Sequence, residues 1–275
     1  MYQISSIITT PQESPSYVKR LTFCLTPKGF YMYRVSTQGT LLSFVDVVMD
    51  WEGNIVCMSN QIMEFLQDQN ISMFDYESVR LVCPTMQAVW MPDELYSAKH
   101  DRDYLGSVTT IPDGCEVLNA YSSQIDAYCI FAVDSRVVTA FKIVLPGIRM
   151  FSQHNMLLSP SLFKQSDSHP IVLLSQFDTF CSINVVSHSN LLLSNSFKFS
   201  SSNERLFRLI RIVKFLDLDS TTTELRLGGL VDRSDYNTFV RYFSKVTLNN
   251  GDLLRFENPE FQHLHRYRYL IEGGC

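Results

Sequence analysis

The chain of 275 residues is 45% hydrophobic and 19% charged, ordinary values for a globular protein with room for one or two domains and a sizeable core. Its 23 basic and 28 acidic residues give a net charge of −5, which excludes the strongly basic profile of a nucleic-acid binder. No run reaches the roughly 20 apolar residues that span a bilayer, the longest (137–148) being broken by Lys142 and Pro146, and residues 1–17 lack the basic segment and apolar core of a secretion signal; a cytoplasmic chain without a transmembrane segment is expected.

Residues 1–16, with Ser, Thr, Gln and two prolines, read as a loose segment. Leu21, Phe23 and Leu25 then alternate with Arg20, Thr22, Cys24 and Thr26, the period of a strand with one face toward a core. Pro27, Lys28 and Gly29 make a tight turn, a second strand spans 30–35, and after a loop at 36–39 a third spans 41–49. Met58, Ile62, Phe65 and Leu66 recur at three- and four-residue spacing, predicting a helix laid on this meander, and 78–83 returns as a strand. Strands over 116–121 and 126–133 and a helix over 135–144 follow. Pro160 interrupts a short apolar segment in 155–168, which reads as a connection.

The opening order then repeats. Strands over 171–176 and 179–186 flank Phe177 and Asp178, a turn occupies 187–190, and a third strand covers 191–199. The capping box Ser201 and Glu204 opens a helix striped by Leu206, Ile210 and Val213, which ends near Leu216. A strand over 223–227 is closed by Gly228 and Gly229, and a further helix begins near Ser234. The duplication predicts two lobes, 17–154 and 155–275, around a cleft.

Several phrases carry a resemblance: Leu25-Thr26-Pro27-Lys28-Gly29-Phe30, Val82-Cys83-Pro84-Thr85, Leu193-Ser194-Asn195-Ser196-Phe197 and Leu225-Arg226-Leu227-Gly228-Gly229. With the duplicated order, they make the chain resemble the actin-like ATPases of the ribonuclease-H-like superfamily, and more closely an uncharacterised bacterial family given that fold. The resemblance implies an α/β protein of two lobes with mixed sheets. In such ATPases two hairpins, each opening on an aspartate followed by glycine, hold the nucleotide. Backbone N–H groups cradle phosphates and the carboxylate orients hydrated magnesium.

The first hairpin here offers Thr26-Pro27-Lys28-Gly29, with no aspartate and with Pro27 removing an N–H donor. The second, Gln176-Phe177-Asp178-Thr179, keeps a carboxylate but has no glycine, and Phe177 adds bulk. Gly228 and Gly229 match the glycine pair that packs near adenosine in the superfamily, and they equally suit a turn into the next helix.

Other constellations carry less. The seven cysteines, Cys24, Cys57, Cys83, Cys115, Cys129, Cys181 and Cys275, are odd in number and form no Cys-x-x-Cys pair, which favours buried reduced thiols over disulfides or zinc. No nucleotide phosphate loop, dinucleotide turn, nucleophile elbow or His-Glu-x-x-His helix is present. His263 and His265 would share one face of a strand without further metal ligands nearby, and His265 to Tyr269 interleaves cations with aromatics. Arg205, Arg208, Arg211 and Lys214 recur every three residues opposite the apolar stripe of their helix, a solvated face or a docking surface for an acidic partner or membrane. Asp217 and Asp219 follow in a turn. Trp51 and Trp90 read as core residues or interface anchors.

The expected function is a non-catalytic binding or assembly module on a degenerate actin-like fold, with a protein partner, no cofactor, no metal and no catalytic residue. The alternative is a nucleotide-binding protein, a weak ATPase or sugar-kinase relative, that holds ATP with magnesium through Lys28, Gly29, Asp178, Gly228 and Gly229.

Overall fold

The computed structural model describes residues 2–9, 18–37, 40–49, 51, 53–231 and 233–248. In chain order it begins with β1 (Gln3–Thr9), β2 (Val18–Thr26), β3 (Gly29–Ser36), β4 (Leu41–Val48), α1 (Ile55–Asp68) and β5 (Ser78–Cys83). It continues with β6 (Ala88–Pro92), α2 (Asp101–Val108), β7 (Cys115–Ser122), β8 (Ala127–Asp134), α3 (Ser135–Val144) and β9 (Arg149–Ser152). Next come α4 (Gln153–Leu157), α5 (Pro160–Gln165), β10 (Ile171–Gln176), β11 (Phe180–Ser187) and β12 (Asn190–Lys198). The described chain closes with α6 (Ser202–Phe215), β13 (Glu224–Gly229), α7 (Arg233–Phe239) and β14 (Lys245–Leu248). The described residues of 2–121 and 128–153 form one compact unit, and those of 122–127 and 154–248 form the other.

In the first unit the sheet order is β1-β4-β3-β2-β5-β9. The strands β2, β3 and β4 pair antiparallel, whereas β5 and β9 add in parallel, Leu21 opposite Val79 and Leu81 opposite Met150. One face receives α1 and α3, which pack on each other. Phe23, Phe30, Phe65 and Phe141 meet edge-on beneath them, with ring centroids 5.2–5.9 Å apart. Such contacts satisfy the aromatic quadrupoles while burying large apolar areas. Asn54 caps α1 by accepting from the Cys57 N–H at 2.9 Å, as a short polar side chain does at a helix start.

The alternation in β2 predicted one face toward a core, yet Arg20, Thr22 and Cys24 on the other face are buried as well. A strand inside a sheet that is covered on both faces needs no polar side. Of the segment expected to be loose, Gln3–Thr9 forms β1, paired antiparallel with β4; Met1 and 10–16 lie outside the described residues.

Between β5 and α3 sits a small three-stranded sheet, β6-β8-β7. Leu105 of α2 packs on Ile130 and Ala132, and the rings of Tyr96 and Tyr128 stack at 3.7 Å. Both α2 and β9 escaped the sequence reading.

The second unit repeats the first: β12-β11-β10-β13-β14, with β10–β11–β12 antiparallel and β13 and β14 parallel. Numbered from β2 in one copy and from β10 in the other, both run 3-2-1-4-5 with the second strand reversed, and the first sheet adds β1 antiparallel at the edge beside β4. This is a duplicated ribonuclease-H-like, actin-like α/β fold. Val172, Leu174, Ile183 and Val185 meet Leu206, Leu209 and Val213 of α6 and Phe239 of α7 on one face.

Two expectations about helices need correcting. The connection 155–168 carries α4 and α5: Pro160 sits at the start of α5, where its missing N–H costs nothing, Ser159 caps the helix, and Leu162 and Phe163 are buried. The buried stripe of α6 runs through Arg205, Leu206, Leu209 and Val213, with Ile210 only half-buried. Among the described residues no helix is long and apolar enough to cross a membrane.

Candidate functional site

The first hairpin turns through Pro27 and Lys28, both exposed, with Thr26 paired to Gly29. Of the two tip residues only Lys28 has an N–H. The carbonyls of the turn point to the segment after β4: the Trp51 indole N–H donates to Thr26 O at 3.0 Å and Gly29 O at 3.2 Å. The Met49 N–H donates to Lys28 O at 2.9 Å. Gly29 has φ +144, and a Cβ there would lie 2.0 Å from Val47 O. Close backbone approach therefore explains this glycine without a ligand.

The second hairpin turns through Asp178 and Thr179, both exposed, and Phe177 N donates to Phe180 O at 2.8 Å. The Phe177 ring is buried and stacks on Phe180 with centroids 4.7 Å apart. The bulk expected at the tip is thus turned onto the sheet, and Asp178 is the charged group left at the turn.

At the end of β13, Gly228 is buried opposite Ser175 and Gly229 lies opposite Gln176. Gly229 has φ +78, and a Cβ would stand 2.0 Å from Gln176 O, which accepts the Leu230 N–H at 3.0 Å. Sheet packing thus accounts for Gly229. The corresponding end of β5 is built from Pro84 and Thr85. There the fully buried Gln153 amide accepts from Thr85 N at 2.9 Å and donates to Thr85 O at 2.6 Å.

The basic residues of α6 separate. Arg205 is buried and paired with buried Asp235 of α7, donates to Ser202 Oγ at 2.9 Å, and lies over the Phe199 ring at 4.6 Å. Arg208 pairs with Glu204 at 2.9 Å. Glu204 receives the Ser200 N–H and hydroxyl as well, and this backbone donor, with Arg208, brings its carboxyl down to about 2. The box is therefore displaced: Ser201 accepts from Glu204 N at 3.2 Å, while the Glu204 side chain reaches Ser200 rather than Ser201. Arg211 and Lys214 are exposed. A free row of four cations does not exist, because Arg205 is buried against Asp235 of α7.

A buried polar seam occupies the other face of the second sheet. His154 is bridged by Ser194 Oγ on Nδ1 at 2.9 Å and Ser196 Oγ on Nε2 at 3.1 Å, and Ser182 and Ser196 hydroxyls meet at 2.8 Å. Burial pushes the imidazole down to about 4, against a smaller opposing effect of the neighbouring Asn184 amide. A neutral ring serves as donor on one side and acceptor on the other. At the start of β13, buried Glu224 is met by Arg226, Lys245, His169 and Thr247. Burial alone would raise its carboxyl, but these donors prevail and hold it well below the usual range.

The remaining sequence candidates are structural or lie elsewhere. Asp219 accepts from the backbone N–H and hydroxyl of Thr221 at 2.8 Å and shapes a turn, while Asp217 has φ +53. Trp90 is half-buried in β6. Cys24, Cys83, Cys129 and Cys181 are buried free thiols, but Cys57 is exposed on α1. His263, His265, the stretch to Tyr269 and Cys275 lie outside the described residues. Among the described residues no three His, Cys, Asp or Glu side chains gather to hold a metal ion.

Sequence reasoning missed Gln153, Asp235 and the hairpin role of Trp51, whose partners are 22 or more residues away. No local pattern signals such contacts. The exposed Phe207 and Phe215 also escaped it; their period on α6 was visible beside the cations.

The fold is similar to that of a Bacteroides thetaiotaomicron VPI-5482 protein described as having an actin-like ATPase fold and unknown function, at TM-score 0.71 and 18% identity over 92% of this chain and 96% of that one. It is also similar to a chain of a PilM-PilN type IV pilus biogenesis complex, at TM-score 0.61 and 11% identity over 94% and 97%. Comparison with curated proteins gives no match. The match of residues 10–246 to one family model, most of the chain, means that this protein belongs to the family described as "Protein of unknown function (DUF3822)".

Proposed function

We propose that the chain is a non-catalytic binding or assembly module, an actin-like scaffold whose hairpins no longer hold phosphate. The observation that carries this reading is the first hairpin. Its tip offers one N–H, its carbonyls are taken by Trp51 and Met49, and its glycine is required by contact with Val47 O. Phosphate recognition in a turn needs several convergent N–H groups, and a single one beside an exposed lysine is a poor cradle. At the second hairpin the exposed Asp178 stands without an adjacent glycine. A similar fold occurs in a pilus biogenesis complex, which supports assembly as a use for such a scaffold.

The test is thermal unfolding with 5 mM ATP and magnesium. A site filled a hundredfold above its dissociation constant would add about 2.7 kcal/mol, or about 5–10 °C for a chain of this size. No shift is expected. A shift of that size, abolished by Asp178→Ala, would overturn the reading in favour of a nucleotide-binding protein.

A further inference from the structure

The outward face of α6 is unlike an ordinary solvated helix side. Phe207 and Phe215 are 62% and 82% exposed, eight residues and therefore about 12 Å apart along the axis. Arg211 lies between them with its guanidinium 5.6 Å from the Phe207 ring centroid. Lys214 is exposed on the same side and makes no ion pair among the described residues. Arg208 flanks the stripe, its charge offset by Glu204. At 100° per residue, positions 207, 211, 214 and 215 fall within a third of the helix circumference, opposite the buried Arg205, Leu206, Leu209 and Val213.

Two large aromatic side chains left in water on one helix mark a contact surface rather than a solvated one. Aromatic residues and arginine are also the types enriched where interfaces concentrate their binding energy. The charges choose the occupant. Arg211 and Lys214 add positive potential that Glu204 neutralises only at Arg208, so the complementary surface is apolar and acidic. An anionic bilayer is the weaker match, because recognition of acidic lipids by charge takes clusters of about four to eight basic residues, and burial of Arg205 leaves fewer here.

We infer that α6 docks an acidic amphipathic segment of a partner protein, with its apolar side chains on Phe207 and Phe215 and its carboxylates on Arg211 and Lys214. This rests on the reading of the chain as a binding module and names the surface and the partner's chemistry. It departs from a purely electrostatic patch in giving the two phenylalanines the anchoring role and Arg205 none.

The experiment is selection from an unbiased displayed peptide library on the full-length protein, followed by anisotropy titrations of the enriched peptides. Enrichment of Asp and Glu around two apolar positions is expected. Phe207→Ser with Phe215→Ser should weaken binding at least tenfold, as should Arg211→Glu with Lys214→Glu in a separate variant. Raising salt from 50 to 500 mM should weaken it about tenfold, because exposed charges are screened. Melting temperatures of both variants serve as controls for folding, and single substitutions at 207 and 214 replace any variant that melts early.

The inference is overturned if no peptide is enriched, if the enriched peptides are neutral or basic, or if they bind wild type and variants alike. Sedimentation of wild type, but not of the variants, with vesicles containing phosphatidylglycerol would overturn it in favour of a membrane surface. The ATP melting experiment is independent of these outcomes, so failure of the docking surface and failure of the non-catalytic reading are told apart.

Discussion

The two units lay their strands in the same order, yet they close their hairpins in different ways. In the first, the Trp51 indole from beyond β4 ties the turn carbonyls of residues 26 and 29. In the second, the turn is closed from within by Phe177 N donating to Phe180 O and by the stacked rings of the same pair. The close-contact glycine also moves, from the hairpin in one copy (Gly29 on Val47 O) to the end of the fourth strand in the other (Gly229 on Gln176 O). A shared topology therefore fixes where backbones converge, but each copy meets the constraint with its own residues. A glycine at a position associated with ligand can be demanded by the sheet alone.

The largest effects should come from the two glycines. With a Cβ 2.0 Å from a backbone carbonyl and φ at +144 or +78, Gly29→Ala and Gly229→Ala should each cost more than about 3 kcal/mol. Urea unfolding without nucleotide measures this. A mild effect at Gly229 alongside a severe one at Gly29 would return the β13 end to consideration as a ligand contact.

Next in size is the buried pair Arg205–Asp235 of the second unit. Arg205→Met leaves Asp235 charged and buried, an expected loss of about 3–5 kcal/mol. Replacing both residues, Arg205→Met with Asp235→Leu, should recover much of it. A double variant as unstable as the single one would show that the pair is needed for more than mutual neutralisation.

The pH dependence separates two sites of that same unit. His154 sits at about 4 in the folded chain against 6.5 for the ordinary group. Between those values the unfolded chain binds a proton that the native chain does not. Stability should fall as pH drops from about 6.5 to about 4, by at most about 3 kcal/mol. Glu224, held below its ordinary range, contributes stability that is lost as pH falls beneath that range. His154→Gln should flatten the upper window and leave the lower one, as read from unfolding midpoints between pH 3 and 8. An unchanged slope above pH 5 would contradict a buried neutral imidazole.

The smallest effects compare the hairpins directly. Trp51→Phe removes the donor shared by two carbonyls, for an expected loss of about 1–2 kcal/mol. Asp178→Ala, at an exposed tip, should stay within about 0.5 kcal/mol of wild type. Equal effects would mean that the indole does not hold the first turn.

Much of this contrast was legible beforehand and some was not. The alternation from Leu21 to Leu25, the turn at Pro27 and the capping residue Ser201 are local signals, and each produced its element. The same alternation was misleading about Arg20, Thr22 and Cys24, because a period-two pattern cannot tell whether a sheet is covered once or twice. Pro160 read as a break and serves as a helix start. The helical period placed Arg205 with Arg208 and Arg211, yet a residue at the margin of a stripe is buried or exposed according to what packs there, here α7 with Asp235.

By itself the sequence determined the two copies of three strands, a helix and a return strand, and hence the fold, since hydrophobic periodicity and turn chemistry act over a few residues and are written along the chain. It also determined that Pro27 cannot donate an N–H. Only the tertiary structure decided what Gly29 and Gly229 touch, where the Trp51 indole donates, which cation of α6 is neutralised and which phenylalanines stay in water. Those outcomes depend on backbones and side chains brought together from distant positions, and the free energy of such contacts has no signature in the spacing of neighbouring residues.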